Sequence, residues 1–210
     1  MADGRITIDT KINEKGAQKG LTNLQKKVEG SAKKMKKIGG DMTKYITAPL
    51  AALGGMAFAS ADQMDKAYRN IQVGTGATGD ALEDLKKSFK EVFEDVPDDA
   101  DAVSNALATL NTYTGFTGEV LENLTKKTLD ASRMLEEDGV NASVAFGKAL
   151  KSWNVPAEES EGHLEHLFRL TQDYDVGLGQ LSDMITRHGT VLKNAGFEMD
   201  EVAHFMATME

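Results

Sequence analysis

The sequence predicts an all-α fold: an array of short amphipathic helices, preceded by a long basic coiled-coil-like helix and one short N-terminal strand. Three observations carry this expectation. Aromatic residues make up only 6% of the 210 and Ala and Leu hold the apolar positions, which favours helix, since strands prefer β-branched and aromatic side chains. Between Ala17 and Tyr45 apolar or small residues alternate at four and three positions, the spacing of a coiled-coil seam. Beyond Ser60, apolar stripes of helical period are broken by turn residues roughly every 20 positions. The chain therefore divides into an arm over 1–13, a stalk helix over 14–45, an Ala/Gly-rich apolar segment over 46–61 and a helical core over 62–210.

The arm is the one strand-like stretch. From Arg5 to Ile12 apolar and polar residues alternate at period two, with Ile and Thr favouring strand. A lone strand satisfies its backbone only against another, so it pairs with another copy or another protein, or stays disordered. The stalk seam comprises Ala17, Leu21, Leu24, Val28, Ser31, Met35, Ile38, Met42 and Tyr45, flanked by Lys26, Lys27, Lys33, Lys34, Lys36 and Lys37. So narrow a stripe suits self-association into a homo-oligomer; a helix lying on its own domain is the alternative, with Gly30, Gly39 and Gly40 loosening either.

Charge is divided along the chain. The net −9 resolves into +6 over residues 1–44 (11 Lys and Arg against 5 Asp and Glu) and −15 over 45–210 (13 against 28). A basic arm of this kind meets a polyanion or complements acidic surface on the body or on a neighbouring copy. It lacks the interleaved aromatics that stack on bases, so no specific nucleic-acid binding is expected. Absence of cysteine excludes a disulfide scaffold and thiolate ligands, and Met1–Arg5 leads into no apolar signal region, so synthesis in a cytoplasm is expected.

From Tyr45 to Ala61 there is no charge, and the run just reaches the minimum of about 17 residues for a membrane span. Pro49, Gly54 and Gly55 weaken it as an isolated helix, whereas Ala51, Gly55 and Ala59 recur every fourth position and let two backbones approach closely. Close packing within an assembly is preferred, with insertion into a membrane after a conformational release as the alternative.

The core then reads as successive helices. Met64, Ala67, Tyr68 and Ile71 share one face before the turn Gly74–Gly79; Leu82, Leu85, Phe89, Val92 and Phe93 share the next, with Asp80 and Glu83 suiting the positive end of its dipole. Val103, Ala106, Leu107, Leu110 and Tyr113 follow Val96-Pro97-Asp98-Asp99; Leu121, Leu124, Thr128, Ala131 and Leu135 follow Gly115–Gly118; Ala145, Ala149, Leu150 and Trp153 follow Gly139-Val140-Asn141. Leu164, Leu167, Leu170 and Tyr174 form a further stripe, then Leu181, Met184, Ile185, Val191 and Leu192, and lastly Val202, Phe205, Met206 and Met209. Several helices open on a turn residue and one apolar residue, as in Gly115-Phe116, Asn154-Val155 and Gly196-Phe197, where the apolar residue packs on the first turn and sets the entry angle. No fixed-length repeat strong enough for a solenoid is read. The pattern is still amphipathic at Glu210, and a fragment of something longer is expected.

Catalytic chemistry finds little support. His163-Leu164-Glu165-His166 and Glu201-Val202-Ala203-His204 are the only candidates for a metal, but a di-iron bundle needs two Glu-x-x-His units and a zinc protease His-Glu-x-x-His; surface histidines are expected, and no cofactor. The acidic runs Asp98-Asp99-Asp101 and Glu136-Glu137-Asp138 stand at helix ends as solvated groups rather than as buried acids. Gly74–Gly79 lacks the strand and the Gly-Lys-Ser/Thr of a phosphate loop, and Gly-x-Ser-x-Gly is absent. No enzyme is expected.

Taken in order, Ser60–Ile71, Thr75–Thr78 with Leu82–Leu85, Asp101–Leu107, Gly115–Leu121, Trp153–Glu159 and Gly196–Val202, behind a short strand, a basic helix and an Ala/Gly-rich segment, resemble the N-terminal and core region of phage tail tape measure proteins. Gln63-Met64 stands where the family carries an aromatic residue, and a Thr-rich turn follows Tyr113 where a more alanine-rich one is usual. The resemblance implies several copies in a tail lumen after synthesis in a bacterial cytoplasm, with tail tube protein, tail assembly chaperones and tail tip proteins as partners. It also implies that tube growth stops when the rod is covered, and that an apolar segment enters the host membrane at infection. At 1.5 Å per residue a helix of this length spans at most about 315 Å, so the ruler helix belongs beyond residue 210. The matched motifs serve packing and turns, so no catalytic residue carries over. Two other classes remain on the residues alone: a membrane-active pore former inserting residues 45–61, and a helical enzyme or metal carrier built on His163, His166 and the Glu201-x-x-His204 unit.

Overall fold

A serine hydroxyl opens the first helix. Ser60 Oγ accepts from the Gln63 amide at 3.3 Å while the Gln63 side chain accepts from the Ser60 amide at 2.8 Å, a reciprocal cap for two donors the helix cannot satisfy itself. The structure, a computed structural model, describes residues 60–209. Among them are eight helices: α1 Ala61–Thr75, α2 Asp80–Asp95, α3 Ala100–Thr114, α4 Gly118–Met134, α5 Gly139–Trp153, α6 Ala157–Asp173, α7 Leu178–Asn194 and α8 Met199–Ala207. The described residues contain no strand. The arm, the stalk seam and Ala51, Gly55 and Ala59 lie outside the described residues.

The helices form two layers. α1 packs on α3, α3 on α5 and α5 on α7 in the most extensive helix–helix contacts, and the even-numbered helices form a looser series, α2 on α4, α4 on α6 and α6 on α8. Hairpins of one odd and one even helix are therefore stacked in chain order, and the apolar stripes meet between the layers in one continuous core from Ala67 to Ala207. Leu107, Leu110, Leu121, Leu124, Phe146, Leu164 and Leu167 are completely buried there. Phe89 and Phe93 stack with ring centres 5.5 Å apart, and Tyr68 meets Phe89 edge-on at 5.9 Å.

A fixed period does exist, contrary to the expectation from the sequence. The residues before the odd helices are Ser60, Asp99, Asp138 and Gly177, each 39 beyond the last. Gly76, Gly115 and Asn154 end the first three odd helices at the same interval, all in the left-handed conformation that glycine and asparagine tolerate. The period becomes visible when Thr75-Gly76-Ala77-Thr78-Gly79 is set against Thr114-Gly115-Phe116-Thr117-Gly118, followed by Leu82 and Leu85 against Leu121 and Leu124. Thr75 and Thr114 even make the same bonds, each donating to the carbonyl four residues back and accepting from the amide two residues on. Helical periodicity obscures this because any two amphipathic helices look alike; the caps and turns carry the repeat.

Small residues set the odd-layer spacing. A Cβ on Gly74 would lie 3.1 Å from Ala108 Cβ on the next odd helix, and one on Gly147 would lie 3.2 Å from the Tyr113 ring on the preceding one, so neighbouring odd helices approach closely where one of them carries a glycine. The predicted faces are borne out with three exceptions: Val191, Phe205 and Met209 were expected inward and are exposed. Val191 stands two periods beyond Tyr113, at the place from which α3 reaches the next odd helix, and among the described residues α7 has no such neighbour. Phe205 and Met209 lie on the last hairpin for the same reason.

Leu107→Ala, which empties a fully buried site, is expected to cost about 2–5 kcal/mol in urea unfolding. Gly147→Val, which pushes branches into Tyr113, is expected to cost about 1–3 kcal/mol. Changes below about 0.5 kcal/mol, typical of surface sites, would contradict this packing.

Candidate functional site

Three of the four histidines gather where α6 meets α8. His163 and His166 occupy one face of α6, three residues apart, and both reach Asp200 in the first turn of α8: His163 Nδ1 lies 2.6 Å from Asp200 Oδ1, and His166 Nε2 lies 3.2 Å from the Asp200 backbone oxygen. His204, one turn beyond Asp200, has its Nδ1 buried with no hydrogen-bond partner, and its ring stands edge-on to Tyr174 at 5.9 Å. Surface histidines were expected. That holds for His188, which is exposed, but His166 is only 8% exposed and His163 and His204 are half-buried.

Burial pushes the His166 imidazole below its usual range, with the nearby His204 and His163 adding to the effect against the pull of Asp200. His163 moves the other way. Burial disfavours its charge, but the Asp200 hydrogen bond and charge outweigh burial, helped by Glu159 and Glu198, and raise its pKa. One cluster thus holds an imidazole that prefers a proton beside one that resists it. Among the described residues no group of three His, Asp or Glu side chains is placed to hold a metal ion, these three histidines included.

The acidic runs stand at helix ends with Asp99, Asp101, Glu136 and Asp138 exposed, as expected, and their members also cap and tie helices. Asp99 and Asp138 accept from the amides of Ala102 and Asn141 at 2.8 and 2.7 Å and so start α3 and α5. Glu137 does this for a different helix: its two carboxylate oxygens accept from Leu178 and Gly179 at 2.7 and 3.0 Å, capping α7, whose own lead residue is Gly177. Arg133 bonds Asp98 and, at 2.9 Å, Asp130. Burial raises the Asp130 pKa against the pull of Arg133, whose own pKa is raised because its two carboxylates outweigh burial. Lys127 of α4 likewise meets Glu161 at 2.6 Å and Glu165 at 3.1 Å on α6, and these partners outweigh burial to raise its pKa.

An open groove of about 430 Å³ runs between α5 and α7, lined by Glu137, Asp138, Asn141, Lys148 and Asp183 among others. Glu137 is committed there to the α7 amides, so the groove offers no free catalytic pair at that carboxylate. On the odd-layer surface Lys148 and Lys151 lie over the Tyr113 ring and Lys193 over Trp153, at 5.6–5.9 Å. No helix among the described residues is long and apolar enough to cross a membrane.

The self-association seam, Ala17, Leu21, Leu24, Val28, Met35, Ile38, Met42 and Tyr45, falls outside the described residues, as does the segment with Ala51, Gly55 and Ala59. What sequence reasoning missed was the meeting of His163 and His166 with Asp200 and His204. A signal existed: Asn70–Ser104, Ser88–Glu122, Lys127–Glu161 and His166–Asp200 are all bonded pairs 34 residues apart, the separation that links one hairpin to the next. A family model described as "Phage-related minor tail protein" matches residues 93–210, from the end of α2 through α8. No curated protein and no solved structure matches the chain.

Removing the shared carboxylate tests how one hairpin starts the next. Glu137→Ala is expected to lower stability by about 0.5–2 kcal/mol, the usual worth of an N-cap, and to speed hydrogen exchange at the Leu178 and Gly179 amides. Glu137→Gln, which keeps one acceptor oxygen, is expected to lose less. Unchanged exchange at both amides in Glu137→Ala would show that the cap is idle.

Proposed function

The chain belongs to the phage-related minor tail protein family, and from that premise we propose that it is the N-terminal and core region of a tape measure protein, a structural component that sets tail length from inside the tail tube. The observation that carries this reading is that the family match and the resemblance in the sequence fall on the same stretch of chain. The family match begins at Phe93, and the ordered motifs from Asp101 to Val202 that resemble tape measure proteins fall within it. The stacked hairpins support a structural role: their conspicuous residues are caps, turns and packing sites spaced for assembly.

In this reading the parts have distinct tasks. The array of α1–α8 is a folded head, and the seam from Ala17 to Tyr45 joins copies into a homo-oligomer. Tail tube protein polymerises around the rod, with tail assembly chaperones and tail tip proteins acting at its surface and end. The small-residue segment with Ala51, Gly55 and Ala59 packs within the assembly and enters the host envelope at ejection. The role is non-enzymatic and takes no cofactor.

Two measurements test it. A nonsense codon in the gene, in the phage or prophage that carries it, is expected to leave heads without tails of defined length by electron microscopy; normal tails would exclude a tape measure role. Light scattering of the 210-residue chain is expected to give a dimer or larger, and Leu24→Glu with Met35→Glu a folded monomer. A wild-type monomer at every concentration would remove the self-association seam while leaving the tail role standing.

A further inference from the structure

Among the described residues the odd layer is open at both ends, at α1 and at α7. Inside it, each helix turns one row of side chains to its successor and another to its predecessor. α1 offers α3 the row Lys66, Asn70 and Gly74, and α3 answers with Asp101, Ser104, Ala108 and Thr112. Lys66 pairs with Asp101 at 2.9 Å, Asn70 donates to Asp101 at 2.8 Å and to Ser104 at 3.1 Å, and Thr112 donates to the Gly74 carbonyl at 2.9 Å. The 39-residue period carries both rows to the ends of the layer. Three periods on, the forward row falls on Asp183, Arg187 and Val191 of α7; one period back, the rear row falls on Asp62, Asp65, Arg69 and Val73 of α1. α7 keeps this phase, since Ser182 stands one period beyond Ser143 and two beyond Ser104, and all three are fully buried.

Both end rows face solvent. Asp62, Asp65 and Arg69 are exposed, although Ser104 and Ala108, one period beyond Asp65 and Arg69, are buried against α1. Val73 and Val191 are the most exposed large apolar side chains among the described residues, at 85% and 75%. Laid together in the register of α1 on α3, the rows fit. Val191, in the place of Gly74, meets Val73, in the place of Thr112; Arg187, in the place of Asn70, meets Asp62 and Asp65. Asp183 falls opposite Asp62, but it already holds Arg187 at 2.6 Å, so one guanidinium stands among the carboxylates of both rows. Arg69 occupies the place of Ala108 and Gly147, so the helices approach less closely here than inside the stack and the contact is weaker.

We propose that these rows are the two halves of an interface between copies of this chain: α7 of one copy docks on α1 of the next, head to tail, as a further step of the odd layer. One chain cannot close the contact on itself, because α3 and α5 stand between its two ends, so the occupant of each row is a second copy. Such a contact is heterologous; it builds a ring where the rotation per copy closes and an open stack where it does not. It uses none of the residues from Ala17 to Tyr45 and therefore adds to the seam proposed above. Where the seam gathers copies, the α7–α1 contact sets one helical array against its neighbour. Alone it is small and joins chains only transiently.

The chain has no cysteine, so a reporter pair is easily placed. The 210-residue chain carrying Val73→Cys is mixed with an equal amount of the chain carrying Val191→Cys, mildly oxidised and digested for mass spectrometry. The mixed disulfide is expected to exceed both symmetric ones severalfold, whereas a mixed disulfide at or below the share of random pairing would overturn the proposal. Arg187→Glu added to the Val191→Cys chain is expected to slow mixed cross-linking about threefold or more. Asp65→Lys added to the Val73→Cys chain should then recover it, because the charges have been exchanged across the contact. Equal rates in all three mixtures, or a loss without recovery, refute the register. Each of these substitutions is at an exposed position, and circular dichroism checks the helix content; if Asp65→Lys lowers it, Asp62→Lys takes its place. The preference for the mixed disulfide is expected to persist when both chains carry Leu24→Glu with Met35→Glu. Light scattering reads the seam and the disulfide reads α7 on α1, so the two proposals fail separately; a preference that vanishes with the seam removes the α7–α1 contact as an interface of its own.

Discussion

A helical hairpin of about 39 residues cannot bury its own apolar stripes, and every other feature of this array follows from that shortfall. Two helices cover one side of each other and leave the rest wet. Stacking a second hairpin covers it, and the cost of ordering is then offset by one core shared along the stack, running from Ala67 to Ala207 without a break. At roughly 1.5–3 kcal/mol for each large side chain fully buried, residues such as Leu107, Leu121, Phe146 and Leu164 supply the attraction. Stability is thus a property of neighbouring hairpins and of no hairpin alone.

Apolar burial is not directional, so something else fixes the register. Polar ties at a constant separation of 34 residues do this: Asn70 to Ser104 in the odd layer, Ser88 to Glu122 and Lys127 to Glu161 in the even layer. A slip of one residue would break them all. The caps add a second level of specification. Asp99 and Asp138 start helices of their own hairpins, and Glu137 starts the next one, so the end of one hairpin aligns the beginning of its successor. Close approach between odd helices then depends on a glycine facing each large partner, as Gly147 faces Tyr113 and Gly189 faces Trp153.

The last hairpin departs from the rule. Its odd helix α7 has 17 residues where α1, α3 and α5 have 15, and α8 begins 42 residues after α6 begins, against 39 between α4 and α6. Val191, Phe205 and Met209 are exposed on it. The tie at separation 34 is here made by the His166 ring and the Asp200 backbone oxygen, in the place where Lys127 and Glu161 make an ion pair one hairpin earlier. The same frame therefore holds an ion-paired joint between α4 and α6 and a histidine-rich one between α6 and α8.

Much of this was legible in the sequence. Helical spacing located all eight helices and most inward residues, because burial on one face is written into residue order at a period of 3.6. Turn chemistry at Gly76, Gly115 and Gly196 marked the bends, since few residues other than glycine adopt a left-handed backbone cheaply. The 39-residue period was present in the same letters, in the caps and in stripe positions such as Tyr68, Leu107, Phe146 and Ile185, but the identities change from hairpin to hairpin and only the caps and turns keep a recognisable pattern. What only the tertiary structure decided is which polar residue meets which. His163, His166, Asp200 and His204 are dispersed over two helices, as are Asp98, Asp130 and Arg133 over a loop and a helix, and their pairing follows from how hairpins stack. Local propensity is set by neighbours in sequence; a solvated histidine becomes a buried one only when a distant helix displaces its water.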